Sequence, residues 1–253
     1  MPHSASPFSS GPGPTRRATD GSRSGLTSAP ARRLKRWAKG TVDPQKTLEI
    51  VIQVVVLLFA VSFHESAHGY VAMKCGDNTA RDLGRITLNP IKHLDPIGSL
   101  LFPAVLAFSG LPVFGWARPV PVSLRGVRNP RRANLLVSAA GPVSNLILGI
   151  VFAFVVFALR PIVTTRQHFL FPLLLVAVFS VVVNVSLAIF NLLPIPPLDG
   201  FGVLESLLPA SALPAVIFLR RFGFVILIVL MFSGVLSFVL RPAGQILIGW
   251  LLR

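Results

Sequence analysis

The chain has 253 residues, of which 53% are hydrophobic and only 13% charged, about half the charge of a typical soluble domain. Its net charge is +15, from 24 Lys+Arg against 9 Asp+Glu, and the basic residues gather in an N-terminal tail and in short loops between long apolar blocks. That distribution excludes an ordinary soluble globule and a chain disordered over most of its length, and it makes a lipid bilayer, not nucleic acid, the expected partner.

Residues 1–46 carry 9 basic and 2 acidic side chains among Ser, Pro, Gly and Ala. With no apolar periodicity, they are predicted to form a disordered basic tail. Apolar blocks follow at about 47–73, 98–116, 134–159, 169–193 and 223–240. A helix of roughly 20 residues crosses the hydrocarbon core, so four of the five qualify easily. The second block holds Gly98, Pro103, Gly110, Pro112 and Gly115. Breakers at that density predict a re-entrant or interfacial segment instead of a crossing. The alternation in Arg85-Ile86-Thr87-Leu88, ending at Asn89-Pro90, predicts a short strand, half of a β-hairpin after the first helix. A C-terminal segment, Ala243–Leu252, is expected to lie at the interface. The predicted fold is an all-α polytopic membrane protein of four to five transmembrane helices. Its expected divisions are the tail 1–46, a core 47–202 and C-terminal helices 203–253. The single cysteine, Cys75, forms no internal disulfide and reads as a helix-end residue.

Beyond the first turns, three acids lie within or just at the ends of these blocks: Glu65, Asp199 and Glu205. Ionisable groups there are costly, about 2.5–3.5 kcal/mol on insertion scales, which makes each a functional suspect. Glu205 reads as a juxtamembrane charge. Glu65 sits in His64-Glu65-Ser66-Ala67-His68. Residues four apart share a helix face, so His64 and His68 can fill two corners of a tetrahedral zinc site, with Glu65 beside them as general base on a metal-activated water. Catalytic zinc usually takes three protein ligands and keeps one position open. The best third candidate is Asp199, after the proline-rich turn Pro194-Ile195-Pro196-Pro197-Leu198 that stops the fourth block.

These pieces, with Gly141-Pro142-Val143-Ser144-Asn145 and Asn191–Gly200 following in order, resemble the site-2 protease family of intramembrane zinc metalloproteases, peptidase family M50. The similarity covers about Val51–Gly202, and Asn89–Pro96 resembles a bacterial subgroup that carries the extra block 98–116. The resemblance implies hydrolysis of peptide bonds within or near transmembrane segments of membrane-protein substrates. It also implies one Zn2+ per chain on His64, His68 and Asp199, Glu65 as catalytic base, and a multi-pass location in a bacterial cell membrane. Asn145, Asn184, Asn191, His93 and Asp95 are candidate substrate-binding or supporting residues. Asn184 and Asn191 lie seven apart on one helix face, suited to hydrogen-bonding substrate or a developing oxyanion. Arg85–Leu88 is a candidate edge for pairing with an unwound substrate. A non-hydrolytic transporter or metal-binding membrane protein is the rival reading, and it leaves Glu65 between metal-spaced histidines unexplained.

Topology follows from parity. If His64, His68 and Asp199 share one ion, blocks one and four run parallel, and only one of the two intervening blocks crosses. The proline- and glycine-rich 98–116 is then the one that does not.

Overall fold

The structure is a computed structural model, and it describes residues 44–109 and 115–253. The expected basic tail lies outside the described residues as far as residue 43. Pro44–Lys46 already form the first turn of α1 (Pro44–Lys74). Gln45–Arg253 is one compact unit. After α1 come a single turn, α2 (Thr79–Asp82), a 3-10 turn at Pro90–His93, and a π-helical turn at Pro96–Leu101 that runs into α3 (Phe102–Phe108). The remaining long elements are helices: α4 (Pro130–Leu159), α5 (Phe171–Asn191), α6 (Asp199–Leu207), α7 (Leu213–Phe232) and α8 (Val235–Leu251).

Four stretches are long and apolar enough to cross a membrane: Pro44–Lys74, Pro130–Leu159, Phe171–Asn191 and Ala210–Phe232. The helical stretch Pro96–Phe108 rises only about 20 Å at ~1.5 Å per residue, against a core of ~30 Å. The chain also returns to its start there, because the Trp116 N–H donates to Gly98 O at 3.1 Å. Among the described residues this segment forms no helix of membrane-crossing length. One candidate span, α4, therefore separates α1 from α5.

Three expectations are corrected. The fifth apolar block, 223–240, is not one helix. Gly234 stands at φ +78°, a left-handed conformation that ends α7 and starts α8. The C-terminal segment Ala243–Leu252 continues α8 and is no separate element. The expected β-hairpin is also missing, and no strand forms among the described residues. Side chains take the ladder groups of Thr87: its N–H donates to Ser66 Oγ, and its carbonyl accepts from Ser66 Oγ and His93 Nε2. With both groups occupied, Thr87 itself offers no ladder bonds to a second strand.

Packing between helices follows small residues, as in bilayers generally. Gly149 on α4 faces Val185 on α5, where an added Cβ would lie 3.2 Å from Val185 Cγ2. Around it Ala153, Val156, Ala177 and Val181 form the buried cluster between these two helices. Large apolar side chains face outward instead, with Phe154 70% and Phe157 76% exposed. That arrangement suits lipid, not water. Gly202 lets α6 press onto α4, where Asn134 Nδ2 donates to Gly202 O and to Ser206 Oγ. Arg131 clamps the same helix end through Ser206 O and Leu208 O. The expected division after residue 202 falls inside α6.

Candidate metal centre

His64 and His68 lie one turn apart in the last third of α1, and both are buried. Their Nε2 atoms are 3.1 Å apart. Asp199, the first residue of α6, closes the group, with Oδ2 at 3.0 Å from His64 Nε2 and Oδ1 at 3.3 Å from His68 Nε2. The prolines after Asn191 end α5 and turn the chain so that α6 starts here. Gly200 makes the turn possible, because any Cβ at this position would overlap the carbonyls of Leu192 and Leu193. Gly141 does the same for α4. A Cβ there would sit 2.5 Å from His64 Nε2 and 2.5 Å from His68 Nε2.

The outer ring nitrogens fix the tautomers. His68 Nδ1–H donates to the Val137 carbonyl at 2.7 Å. His64 Nδ1–H donates to Asn145 Oδ1 at 2.5 Å. The orientation of the Asn145 amide is set in turn: its Nδ2 donates to Asn184 Oδ1 and to Ala60 O, while Asn184 Nδ2 donates to Ser180 O. Both Nε2 atoms therefore carry lone pairs that point at one another and at the Asp199 carboxylate. Asp199 Oδ2 is buried and has no hydrogen-bond donor among the described residues. Converging lone pairs repel unless a cation lies among them. Two imidazole nitrogens, a carboxylate and second ring nitrogens held by an amide and a carbonyl make the donor set of a zinc site. Among the described residues this is the one group of three metal-capable side chains with ligand atoms within 4.8 Å of one another.

The trio opens on a cavity of about 700 Å³ with largely apolar walls, including Val61, Leu187, Phe190 and Leu227. Glu65 lines it too, and its Oε2 accepts from the Val120 N–H at 2.8 Å. His68 lies six residues before the end of α1, about 9 Å along the axis, so the cavity sits toward one end of the span. Asn191 lines the cavity with its Nδ2 bonded to Leu187 O.

The other candidates lie elsewhere. Asn145 and Asn184 are buried behind His64, Asn145 bonded to its ring and Asn184 to Asn145. His93 is buried in the loop after α2, bonded to Thr87 O. Asp95 accepts from the N–H groups of Ile97 and Gly98 and caps the π-helical turn. Glu205 pairs with Arg220 at 2.6 Å near the protein surface, an arrangement of small energetic value. Three contributors escaped the sequence reading: the Val137 carbonyl, the Val120 N–H and Gly141. The first two are backbone groups, which any residue supplies. Gly141 was visible as part of Gly141-Pro142, and its close approach to two imidazoles was not.

Comparison with known proteins places the chain in a family. The family model described as peptidase family M50 matches residues 169–232. A Bacillus subtilis (strain 168) protein named "Putative zinc metalloprotease YwhC" is 43% identical over 191 residues, covering 75% of this chain and 84% of that protein. "Putative zinc metalloprotease Rip2" of Mycolicibacterium smegmatis is 30% identical over 84% of this chain and 86% of its own length. Its namesake in Mycobacterium tuberculosis (strain ATCC 25618 / H37Rv) is 31% identical over 79% of this chain and 75% of its own length. No solved structure matches the chain. With four membrane-length helices and relatives aligned over most of its length, the chain belongs to peptidase family M50, as a multi-pass metallopeptidase.

Proposed function

We propose that the chain is a zinc endopeptidase of a bacterial cell membrane that hydrolyses peptide bonds within or near the transmembrane segments of other membrane proteins. The observation that carries this reading is the convergence of two imidazole lone pairs and a buried carboxylate on one point, with a second carboxylate, Glu65, in the same cavity. His64, His68 and Asp199 would hold one zinc ion per chain. When bound, zinc supplies Lewis acidity, which polarises a carbonyl and brings the pKa of a water to about 7.

The remaining work falls to the chain itself. Val120 holds Glu65 Oε2, which leaves Oε1 to take a proton from the attacking water and later to deliver it to the leaving amine. Asn145 and Val137 keep both imidazoles in the tautomer that presents Nε2. The apolar walls suit an apolar substrate segment. A helical substrate hides its carbonyls in bonds one turn apart, so it must unwind before it can react. Relatives in Bacillus and in mycobacteria that are named zinc metalloproteases support the chemistry and the bacterial setting.

The test places the purified full chain with zinc in liposomes containing a single-span substrate, and maps the cut by mass spectrometry. The expected result is a cut inside or beside the span, absent with Glu65→Gln. Cleavage only in soluble loops would contradict the intramembrane reading.

A further inference from the structure

The segment Trp116–Leu124 has no regular secondary structure, yet it is held along its length. The Arg118 N–H donates to His93 O at 2.8 Å. Arg85 Nη2 donates to Arg118 O at 2.9 Å and to Pro119 O at 3.2 Å. The Ser123 N–H donates to Asp77 Oδ2 at 2.6 Å. Between these anchors lies Arg118-Pro119-Val120-Pro121. Each proline forces the residue before it into an extended conformation, and neither proline has an N–H. From Pro119 to Pro121 the backbone thus has a single donor, the Val120 N–H, and that donor is spent on Glu65 Oε2.

Arg85 is unusual among the arginines. It is only 9% exposed, and no carboxylate lies within ion-pair distance among the described residues. Its hydrogen bonds run to backbone carbonyls alone. Burying a guanidinium against two carbonyls with no counter-ion is costly, which points to a role for the placement of those carbonyls. They are the carbonyls of the two residues that precede Val120, so their position fixes the direction of its N–H.

We propose that Arg85 is a positioning residue for hydrolysis: by gripping the Arg118 and Pro119 carbonyls it aims the Val120 N–H and so fixes the Glu65 carboxylate against the metal centre. This rests on the reading of Glu65 as the base. Arg85 is not among the residues lining the cavity and makes no hydrogen bond to His64, His68 or Asp199, so its removal acts on turnover and leaves binding alone. Lysine supplies one point donor in place of the planar fork, so it restores the grip in part.

The experiment compares wild type, Arg85→Met, Arg85→Lys and Val120→Pro as full chains loaded with zinc, using the single-span substrate. The expected result for Arg85→Met is a kcat lower by about 10- to 100-fold, the loss of one bond to a charged group, with KM within about twofold and zinc per chain unchanged. Arg85→Lys regains part of kcat. Arg85→Met combined with Val120→Pro is no slower than Val120→Pro alone, since both act through one N–H. In metal-free protein, Arg85→Met speeds hydrogen exchange in the peptide covering residues 115–124. A kcat for Arg85→Met within twofold of wild type overturns the proposal. So does a joint fall of kcat, zinc content and stability that Arg85→Lys does not relieve. Wild type that cleaves nothing refutes the hydrolase reading itself, and Arg85 with it.

Discussion

Gly141→Ala adds one methyl group where α4 meets the two imidazoles. The new Cβ would lie 2.5 Å from His64 Cε1, His64 Nε2 and His68 Nε2. Carbon atoms in contact normally sit about 3.5–4.0 Å apart, so the rings or the helix must give by about 1 Å. The rings are poorly placed to do so, because Asn145 and Val137 hold them from behind. The helix gains about 0.8–1.0 kcal/mol from alanine over glycine, and overpacking costs about 1–3 kcal/mol, so net stability falls by ~2 kcal/mol at most. The metal site suffers far more. Ligand distances hold to about ±0.2 Å in working sites, and a 1 Å misplacement can cost about 100-fold in rate. The assay is zinc per chain after dialysis, a thermal melt in detergent, and cleavage of the single-span substrate. Gly149→Ala is the control, since its Cβ lies 3.2 Å from Val185 Cγ2, inside the α4–α5 packing and away from the trio. Gly141→Ala should lose zinc at concentrations that saturate wild type, with a melt shifted only slightly, while Gly149→Ala keeps both zinc and activity. Gly141→Ala with wild-type zinc affinity and activity would refute the account of the centre.

Asn145→Ala should weaken zinc binding by about 10- to 100-fold, read by competition with a chelator, and should cost about 1–3 kcal/mol of stability because it leaves Asn184 Oδ1 buried without its donor. Asp77 offers a test by pH. Burial pushes its carboxyl up, but the hydroxyl and N–H of Thr79 and the N–H of Ser123 outweigh that and hold it below the usual carboxylate range. A lowered folded-state pKa gives stability that is present above the unfolded value of about 3.9 and is lost as pH falls through the folded value. Asp77→Asn should therefore melt lower than wild type at pH 7, and the gap should narrow below about pH 4. A gap that stays constant to pH 3 would contradict it.

The legible part of this protein was its unlike residues in unlike places. His64, Glu65, His68 and Asp199 are ionisable groups in apolar sequence, where each is costly, so each declared itself. The segment 98–116 stood out for a different reason: its prolines and glycines weaken a long helix, and among the described residues it gives no helix of membrane-crossing length. What failed did so where a side chain or a single residue overrides a pattern. Arg85–Leu88 alternates like a strand, but Ser66 and His93 capture the backbone of Thr87 from elsewhere in the chain. Residues 223–240 are uniformly apolar, so hydropathy did not register that Gly234 turns the helix there. Val120 was beyond reach because it serves Glu65 through its N–H, and only its flanking prolines mark the sequence.

The central claim is that His64, His68 and Asp199 bind the metal while Glu65 moves the proton. Zinc per chain in detergent, measured beside cleavage for each variant, tests it most directly. Glu65→Gln should keep one zinc per chain and cleave nothing, since Gln cannot take the proton. His64→Ala, His68→Ala and Asp199→Ala should lose zinc and activity together, and Asp95→Ala should keep its zinc because Asp95 caps a turn outside the centre. Full zinc in Asp199→Ala, or continued cleavage by Glu65→Gln, would contradict the account.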